Sequence, residues 1–287
     1  MNDERTLGSI CAGIGGLDLG FEQAGWQTRW QIELDDVNRA VLADRFPRAR
    51  QYKDLRDWRS FDLGPVDAIA FGFPCQDISN MGNSKRDRSR HGLKGERSGL
   101  FFAIVEIVRS IQPPWLVIEN VPALLGSNDS HDIQAVITEL AQCNYVGFGR
   151  VLNSQYFGIP QKRRRLFLVA GLGRYPHMDF LADCGTVEAL PCSLTSVQAK
   201  PGDQWAGYTL TAPDKFKRCN SRTNLGSEVF VAEENGWHQM AERSRAVDLH
   251  GLPAGLDATN TEEAYAAGNA VPPPMGKWIA EILNRSC

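Results

Sequence analysis

The sequence has no hydrophobic run near the length that a bilayer requires, although 43% of its 287 residues are hydrophobic. Its first residues, MNDERTLGSICAGIGG, lack a basic start followed by an apolar stretch and a cleavage site. We therefore expect no secretory signal and a cytoplasmic location. The seven cysteines are an odd number without a C-x-x-C pair, which argues against a disulfide framework or a structural metal site.

Positive charge is also not in excess, because the formal net charge is −3. The whole chain therefore has no general attraction for nucleic acid. Basic residues nevertheless concentrate in three stretches, SKRDRSRHGLKGER at 84–97, QKRRR at 161–165 and DKFKRCNSR at 214–222. This pattern is compatible with a basic cleft on a mildly acidic body.

Short apolar runs alternate with helical patterns over residues 5–170, which is typical of βα units and a mostly parallel sheet. The predicted strands are TLGSICA, TRWQIE, VDAIAFGF, PWLVIEN, YVGFGRVL and RLFLVAG. Between them, one apolar helical stripe is predicted from Leu100, Ile104, Val108 and Ile111. The fold class predicted for this region is a doubly wound α/β domain.

The periodic pattern dissolves from about Gly171 to Trp237, where Gly, Pro, Ser, Thr and isolated charges dominate. We expect a small, loop-rich second domain there, with short strand candidates in GYTLTA and SEVFVA. Helical character returns in PPPMGKWIAEIL, and we expect this helix to pack on the first domain. Its predicted apolar face consists of Met275, Ile279, Ile282 and Leu283.

A glycine-rich turn follows the first predicted strand, in SICAGIGGLDLG, and Glu33 follows the next strand. Such glycines let the backbone approach a ligand, and the acid can bind ribose hydroxyls. Because Asp18 stands where G-x-G-x-x-G has its last glycine, a nucleoside-type site is favoured over a dinucleotide site. Asp54 could accept a hydrogen bond from an adenine amine at the same rim. A purely structural tight turn is an equal alternative for this motif alone.

A cysteine follows another predicted strand, in FGFPCQDIS, and an acid ends a third, in VIENV. These residues are Cys75 and Glu119, and ligands of open parallel sheets bind beyond the carboxyl ends of strands. Taken alone, each has a plainer interpretation, an inert buried cysteine and a surface or capping acid. Taken together with the arginine cluster, they indicate a nucleophile with a proton donor and anion stabilisers.

Five motifs in order, AGIGG, FGFPCQDIS, ENV, FGIPQKRRRLF and GNAVPP, resemble those of the DNA (cytosine-5) methyltransferases of bacterial or phage type. The resemblance covers the first domain and the C-terminal helix. It implies a doubly wound S-adenosylmethionine-dependent methyltransferase fold with a small, irregular target-recognition domain. The implied catalytic domain comprises residues 1–170 plus 259–287, and residues 171–258 would hold the recognition domain and a return segment.

The resemblance also implies the chemistry. The Cys75 thiolate would attack carbon 6 of a flipped cytosine, because carbon 5 is a poor nucleophile until an enamine forms. Glu119 would hold the ring nitrogen and the exocyclic amine and supply a proton. Asn120 would orient the Pro-Cys loop, and Arg163 and Arg165 would contact the 2-keto oxygen and the catalytic loop.

The implied donor is S-adenosylmethionine, and the resemblance assigns nine residues to it. Four of them form the glycine turn, namely Gly13, Ile14, Gly15 and Gly16. Glu33 would bind the ribose, and Asp54 would bind the adenine. Pro74 and Leu100 would also touch the donor, and Asn269 would lie at its methionine end. The chain departs from the family at Cys11 and Leu34, where adenine-contacting aromatic residues are usual. We therefore predict less stacking on adenine and weaker donor binding than is typical.

The implied partner is double-stranded DNA, over which residues 79–97 would close as a basic clamp. A cognate restriction endonuclease as a separate protein stays open, no membrane partner is expected, and a monomer is expected. Two alternatives also stay open. One is a tRNA cytosine-5 methyltransferase of the same fold, and the other is a catalytically silent DNA-binding relative.

Overall fold

Seven strands form the central sheet of the protein, in a computed structural model that describes residues 4–73, 100–157, 159, 163–181, 230–233, 236–239 and 269–286. The strands are β1 (Thr6–Ile10), β2 (Gln27–Ile32), β3 (Arg50–Tyr52), β4 (Ala68–Phe71), β5 (Trp115–Asn120), β6 (Tyr145–Asn153) and β7 (Arg164–Leu172). Their spatial order is β3-β2-β1-β4-β5-β7-β6. The first five strands pair in parallel, whereas β7 is antiparallel to both of its neighbours. The mostly parallel sheet predicted from the sequence is confirmed.

Helices cover both faces of this sheet. They are α1 (Gly16–Gln23), α2 (Asp36–Arg45), α3 (Leu100–Ile111), α4 (His131–Gln142) and α5 (Pro273–Arg285). Side chains of a strand alternate between the two faces, so each strand contributes to two cores. In β5, Trp115 and Val117 pack with residues of α1 and α5, while Leu116 and Ile118 pack with residues of α3 and α4. The protein is therefore a doubly wound α/β fold, as predicted.

The apolar stripe of α3 is buried where the sequence predicts it. Ile104 and Val108 are almost completely buried, and Leu100 and Ile111 pack against the same core from its rim. An apolar row at this spacing gives the helix one continuous contact face for the sheet. Leu100 is the first residue of α3 and thus lies at the helix end that follows residues 74–99.

The C-terminal helix α5 packs against α1, at the opposite end of the sequence. Met275, Ile279, Ile282 and Leu283 are fully buried, as predicted. The two helices approach closely because glycines lie at their contact. A Cβ atom on Gly20 would lie 2.3 Å from the Pro273 carbonyl oxygen, and one on Gly276 would lie 2.8 Å from the Leu17 carbonyl oxygen. This contact places the segment before α5 beside the glycine turn before α1.

Beyond the sheet, the structure describes one short antiparallel hairpin, formed by β8 (Phe230–Glu233) and β9 (Gly236–Gln239). It overlaps the predicted strand SEVFVA, while GYTLTA lies outside the described residues. The predicted division into residues 1–170 plus 259–287 and residues 171–258 stays a proposal. Phe180 is fully buried in the core that α1 and α5 share. The chain therefore still packs against the sheet domain at residue 180.

Within the described ranges, no helix combines the length and apolar character that a membrane crossing needs.

Candidate active site

Three neighbouring parallel strands, β1, β4 and β5, end at the same edge of the sheet. In this fold class, that edge is where ligands bind. The glycine turn follows β1, Gly72 and Phe73 follow β4, and Glu119 and Asn120 are the last residues of β5. The sequence-based expectation that these segments share one rim is met by their described residues.

The glycine turn has two left-handed residues, Gly13 with φ 58° and Gly15 with φ 77°. Ile14 between them is almost fully buried, so the turn offers its backbone rather than this side chain to a ligand. A Cβ atom on Gly15 would lie 2.4 Å from the ring of Phe46, whereas one on Gly13 would meet nothing within 4 Å. Gly13 therefore opens onto free space at the rim, as a close backbone approach to a ligand requires.

Glu33 lies directly beside this turn. Its Oε2 atom accepts a hydrogen bond of 2.7 Å from the Gly13 backbone N–H, and its Oε1 atom accepts one of 3.0 Å from the Asp35 N–H. These bonds hold the carboxylate at the open side of the glycine turn. A carboxylate in this position can accept hydrogen bonds from a ribose diol, so the residues present fit a nucleoside-containing donor.

Asp54 lies farther along the same edge, after β3. It caps the 3-10 helix Leu55–Ser60 by accepting from the Arg56 N–H at 2.9 Å. Its carboxylate also pairs with the Arg56 guanidinium, and these hydrogen bonds lower the pKa of Asp54 to about 2. Asp54 is thus an ionised acceptor that already has a partner, and an adenine amine would share it with Arg56.

Glu119 and Arg165 form an ion pair between the neighbouring strands β5 and β7. Arg165 Nε lies 2.8 Å from Glu119 Oε1, and both side chains are less than a fifth exposed. A Cβ atom on Gly72 would lie 3.0 Å from Glu119 Oε2. Arg165 therefore holds the carboxylate at Oε1, while Oε2 lies next to the backbone of Gly72. The sequence predicted these two residues for one site, and the structure brings them into contact.

Asn120 connects β5 to the segment that follows β4. Its Nδ2 donates to the Phe73 carbonyl oxygen at 3.3 Å, and its Oδ1 accepts from the Val121 N–H at 2.9 Å. Asn120 is 2% exposed, so both bonds are sheltered from water. Phe73 is the last described residue before Pro74 and Cys75, both of which lie outside the described residues, as does Gln161.

Arg163 is almost completely buried at the entry to β7. Its Nη2 donates to the Asn269 carbonyl oxygen at 2.8 Å, and its backbone N–H donates to the hydroxyl of buried Ser154 at 3.3 Å. Asn269 itself is exposed, at the start of the segment that leads into α5. Arg163 thus contacts the segment carrying Asn269, a link that the motifs did not predict.

The two residues that depart from the family pattern differ in exposure, since Cys11 is partly buried against the core and Leu34 is exposed. Cys11 follows β1 with φ 54°, and burial together with nearby Glu33 raises the pKa of its thiol to about 12. Leu34 is 57% exposed beside Glu33. An apolar side chain exposed next to the ribose-binding candidate is available to contact an adenine ring. The expected weakening of donor binding stays a prediction.

A buried acid that sequence analysis missed lies beneath the glycine turn. Asp18 is fully buried in α1, where it accepts from the Ser9 hydroxyl at 3.1 Å and from Gln31 Nε2 at 2.7 Å. Gln31 in turn accepts from Gln51 Nε2 at 2.6 Å, so the network joins α1 to β1, β2 and β3. Burial raises the pKa of Asp18 to about 6. Its place beside Leu17 and Phe21, on the apolar side of α1, was the available signal.

A family model described as C-5 cytosine-specific DNA methylase matches residues 6–192. Among curated proteins, Type II methyltransferase M2.BsuMI of Bacillus subtilis is 35% identical over 96% of this chain and 75% of its own length. Type II methyltransferase M.HaeII of Haemophilus aegyptius is 30% identical over 83% of this chain and 70% of its own length.

A solved structure has the same fold at low sequence identity. The S. pombe Dnmt2 methyltransferase superposes with a TM-score of 0.69 and 15% identity, covering 98% of this chain and 99% of its own. At this identity the likeness concerns the arrangement of the elements alone. The sheet and helices described above are therefore those of a known methyltransferase fold.

Proposed function

The chain belongs to the family of C-5 cytosine-specific DNA methylases and is a methyltransferase, and on this premise we propose that it methylates carbon 5 of cytosine in duplex DNA at a specific short sequence. One observation carries the proposal. Glu119, paired with Arg165, lies over Gly72, three residues before Cys75 in the chain. The acid that would hold the base thus neighbours the segment that leads to the nucleophile.

Cys75 would act as the nucleophile in a covalent mechanism. Its thiolate forms a bond to carbon 6 of the cytosine, and the electron pair of the ring double bond makes carbon 5 nucleophilic. Glu119 would accept from the exocyclic amine and, once protonated on the oxygen that Arg165 does not contact, donate to the ring nitrogen the proton that balances this addition. Carbon 5 would then take the methyl group of the sulfonium donor, which would leave as S-adenosylhomocysteine. A water molecule would remove the remaining proton of carbon 5, and the double bond between carbons 5 and 6 would form again as the Cys75 thiolate leaves with the electrons of the carbon–sulfur bond. The ring nitrogen would return its proton to Glu119.

The proposed roles of the remaining catalytic candidates follow from their contacts. Asn120 fixes the Phe73 carbonyl oxygen and thereby limits where Pro74 and Cys75 can lie. Arg165 fixes the Glu119 carboxylate and adds a positive charge near the site where the 2-keto oxygen gains electron density. Preorganised groups of this kind need no rearrangement during the reaction, and this is what makes them effective.

S-adenosylmethionine would supply an electrophilic methyl group at this edge of the sheet. The open space beside Gly13 and the adjacent Glu33 carboxylate support the fit of its nucleoside part. The residues proposed to hold it are Gly13, Ile14, Gly15, Gly16, Glu33, Asp54, Pro74, Leu100 and Asn269.

Double-stranded DNA is the proposed substrate. A base within a duplex hides carbon 6 in the stack, so the target cytosine would be flipped out at a cost of a few kcal/mol. Residues 171–258 would read the target sequence in the major groove, and residues 79–97 would close over the phosphates. We further propose a cytoplasmic monomer. The named relatives are Type II methyltransferases, which supports a restriction endonuclease as a separate partner protein.

A transfer assay with labelled donor tests substrate and activity together. Duplex DNA, tRNA and a control without nucleic acid are each incubated with the wild type and with Cys75→Ser. The labelled base is then identified after hydrolysis of the nucleic acid. The proposal expects 5-methylcytosine in DNA with the wild type and no transfer with Cys75→Ser. Sequencing DNA from expressing cells for 5-methylcytosine would then give the target sequence.

Two other results would each replace the proposal. Transfer to tRNA alone would make the chain a tRNA cytosine-5 methyltransferase of the same fold. Binding of duplex DNA without any transfer would make it a catalytically silent DNA-binding relative. The Glu119–Arg165 pair favours the active form, because a silent module has no need to keep this partly buried ion pair between two strands.

A further inference from the structure

The short segment Asn269 to Pro272 enters α5 between two other parts of the protein. On one side, the Asn269 carbonyl oxygen accepts from Arg163 Nη2 at 2.8 Å. On the other side, a Cβ atom on Gly16 would lie only 2.1 Å from the Val271 carbonyl oxygen. One carbonyl group therefore binds the segment to the entry of β7, and another, two residues on, lies closely packed against the start of α1.

Arg163 is built to be a fixed anchor. Its side chain is 1% exposed, among the largest that are fully buried. Its backbone is bonded in both directions to Ser154, which donates its N–H to the Arg163 carbonyl oxygen at 3.0 Å and accepts from the Arg163 N–H at its hydroxyl. The planar guanidinium presents its N–H groups in a preorganised fork, so it loses less freedom for each hydrogen bond than a flexible donor would when it binds the Asn269 carbonyl.

This bond uses the backbone of Asn269 and leaves its side chain exposed at the rim. Gly16 begins α1 and is the last of the four glycine-turn residues proposed to hold the donor. A shift of the segment would therefore move the Asn269 amide and the carbonyl group that lies on the glycine turn at the same time. Both changes concern the donor site, and neither requires DNA.

We propose that Arg163 is a positioning residue for the donor site, holding Asn269 and Val271 in place against the glycine turn. This inference rests on the proposed function, since it requires that a nucleoside donor binds at that turn. It adds support of donor binding to the contacts with the 2-keto oxygen and the catalytic loop that the resemblance implies for Arg163 and Arg165. Arg165, which pairs with Glu119, keeps the role at the base.

Calorimetric titration with S-adenosylhomocysteine, without DNA, tests the proposal on the full-length protein. Arg163→Ala should bind about tenfold more weakly than the wild type, which corresponds to about 1.4 kcal/mol. Arg163→Lys keeps the charge but not the planar fork, and it should lie between the two. Arg164→Ala is the matched control, because Arg164 is the exposed neighbour in the same basic run and should bind like the wild type.

A double-mutant cycle identifies the route of the effect. If Arg163 acts through Asn269, then Arg163→Ala should cost less donor affinity in an Asn269→Ala background than in the wild type. Steady-state kinetics should show a raised KM for the donor with a smaller change in kcat. A purely structural role would instead lower the melting temperature and affect all kinetic constants alike.

Each outcome decides the matter. Unchanged binding by Arg163→Ala with a fall in kcat would overturn the inference and leave Arg163 its role at the base alone, while the proposed function would stand. Absence of binding by the wild type would remove the donor site itself, and with it both proposals. If Arg163→Ala does not fold, the titration of Arg163→Lys tests the inference instead. S-adenosylhomocysteine binding by Arg163→Lys that equals binding by the wild type would overturn the inference.

Discussion

Asn120 donates a hydrogen bond from Nδ2 to the carbonyl oxygen of Phe73 at 3.3 Å, in the interior of the protein. The bond joins the last residue of β5 to the second residue after β4. It therefore holds Phe73, the last described residue before Pro74 and Cys75. The same asparagine follows Glu119, so one dipeptide at the end of β5 would place both the acid and the nucleophile.

Asn120→Ala should lower kcat more than it lowers stability. The Phe73 carbonyl loses its donor, and a displacement of the nucleophile by about 1 Å can cost about a hundredfold in rate. Donor affinity should change much less than the rate, since the glycine turn and Glu33 are not altered and Pro74 alone of the proposed donor contacts lies on the affected segment. Single-turnover rates and donor titration check this, and an unchanged rate would show that the bond does not position the loop.

Gly72→Ala should impair catalysis by moving the Glu119 carboxylate. The added Cβ atom would lie 3.0 Å from Glu119 Oε2, so the carboxylate must shift by a few tenths of an ångström. We expect a fall in kcat of about tenfold or more, with little change in melting temperature.

Gly126→Ala is the matched control for this substitution, because its Cβ atom would meet nothing within 4 Å. It should keep the wild-type rate. Equal rates for wild type, Gly72→Ala and Gly126→Ala would mean that Glu119 has no role in the reaction, or that its position is not critical.

Arg165→Ala should lower kcat by about a hundredfold, the usual loss when a preorganised donor is removed from a charged site. It frees Glu119 Oε1 from its partner and removes the nearby positive charge. Arg165→Lys should recover part of the rate, because it restores the charge but not the geometry. If Arg164→Ala slowed the reaction as much, the effect would belong to the basic run rather than to the ion pair.

Asp18 should make stability depend on pH. Because burial raises its folded pKa from 3.8 to about 6, folding favours the protonated form. Its contribution is full below about pH 4 and is lost as the pH rises through 6, a change of about 3 kcal/mol at most. Asp18→Asn removes the charge while its Oδ1 can still accept from Gln31, and its Nδ2 can donate to the Ser9 hydroxyl in place of the bond that Asp18 accepts.

Denaturant unfolding of the wild type and Asp18→Asn between pH 4 and pH 8 measures this contribution. The variant should gain stability relative to the wild type as the pH rises. Parallel stability curves for the two proteins across this range would contradict the assignment of a raised pKa to Asp18.

The sequence carried enough information to predict the six strands of the sheet that are longer than β3, and the buried face of α5, because these follow from the periodicity of apolar residues. It also indicated which segments meet at the rim, since parallel strands end on one side. The contacts of Arg163 with Ser154 and Asn269 could not be predicted in this way. These contacts involve backbone atoms of residues that are distant in sequence. A pattern of side-chain types does not indicate them.

Glycines illustrate the same limit. The turn at Gly13 and Gly15 was predicted from composition, but the reason for Gly16 lies in the Val271 carbonyl oxygen, which is contributed by the far end of the chain. Asp18 was read only as an interruption of a glycine motif. Its actual surroundings, a hydrogen-bond network between one helix and three strands, emerge only once the sheet order is known.

Covalent trapping on modified DNA tests the central claim most directly. A duplex that carries 5-fluorocytosine in place of cytosine blocks loss of the group at carbon 5, so an enzyme that has added to carbon 6 stays attached. The account predicts a stable protein–DNA adduct for the wild type in the presence of S-adenosylmethionine, with the bond mapped by mass spectrometry to Cys75, and no adduct for Cys75→Ser. Methylation of ordinary DNA without such an adduct, or an adduct on another residue, would contradict it.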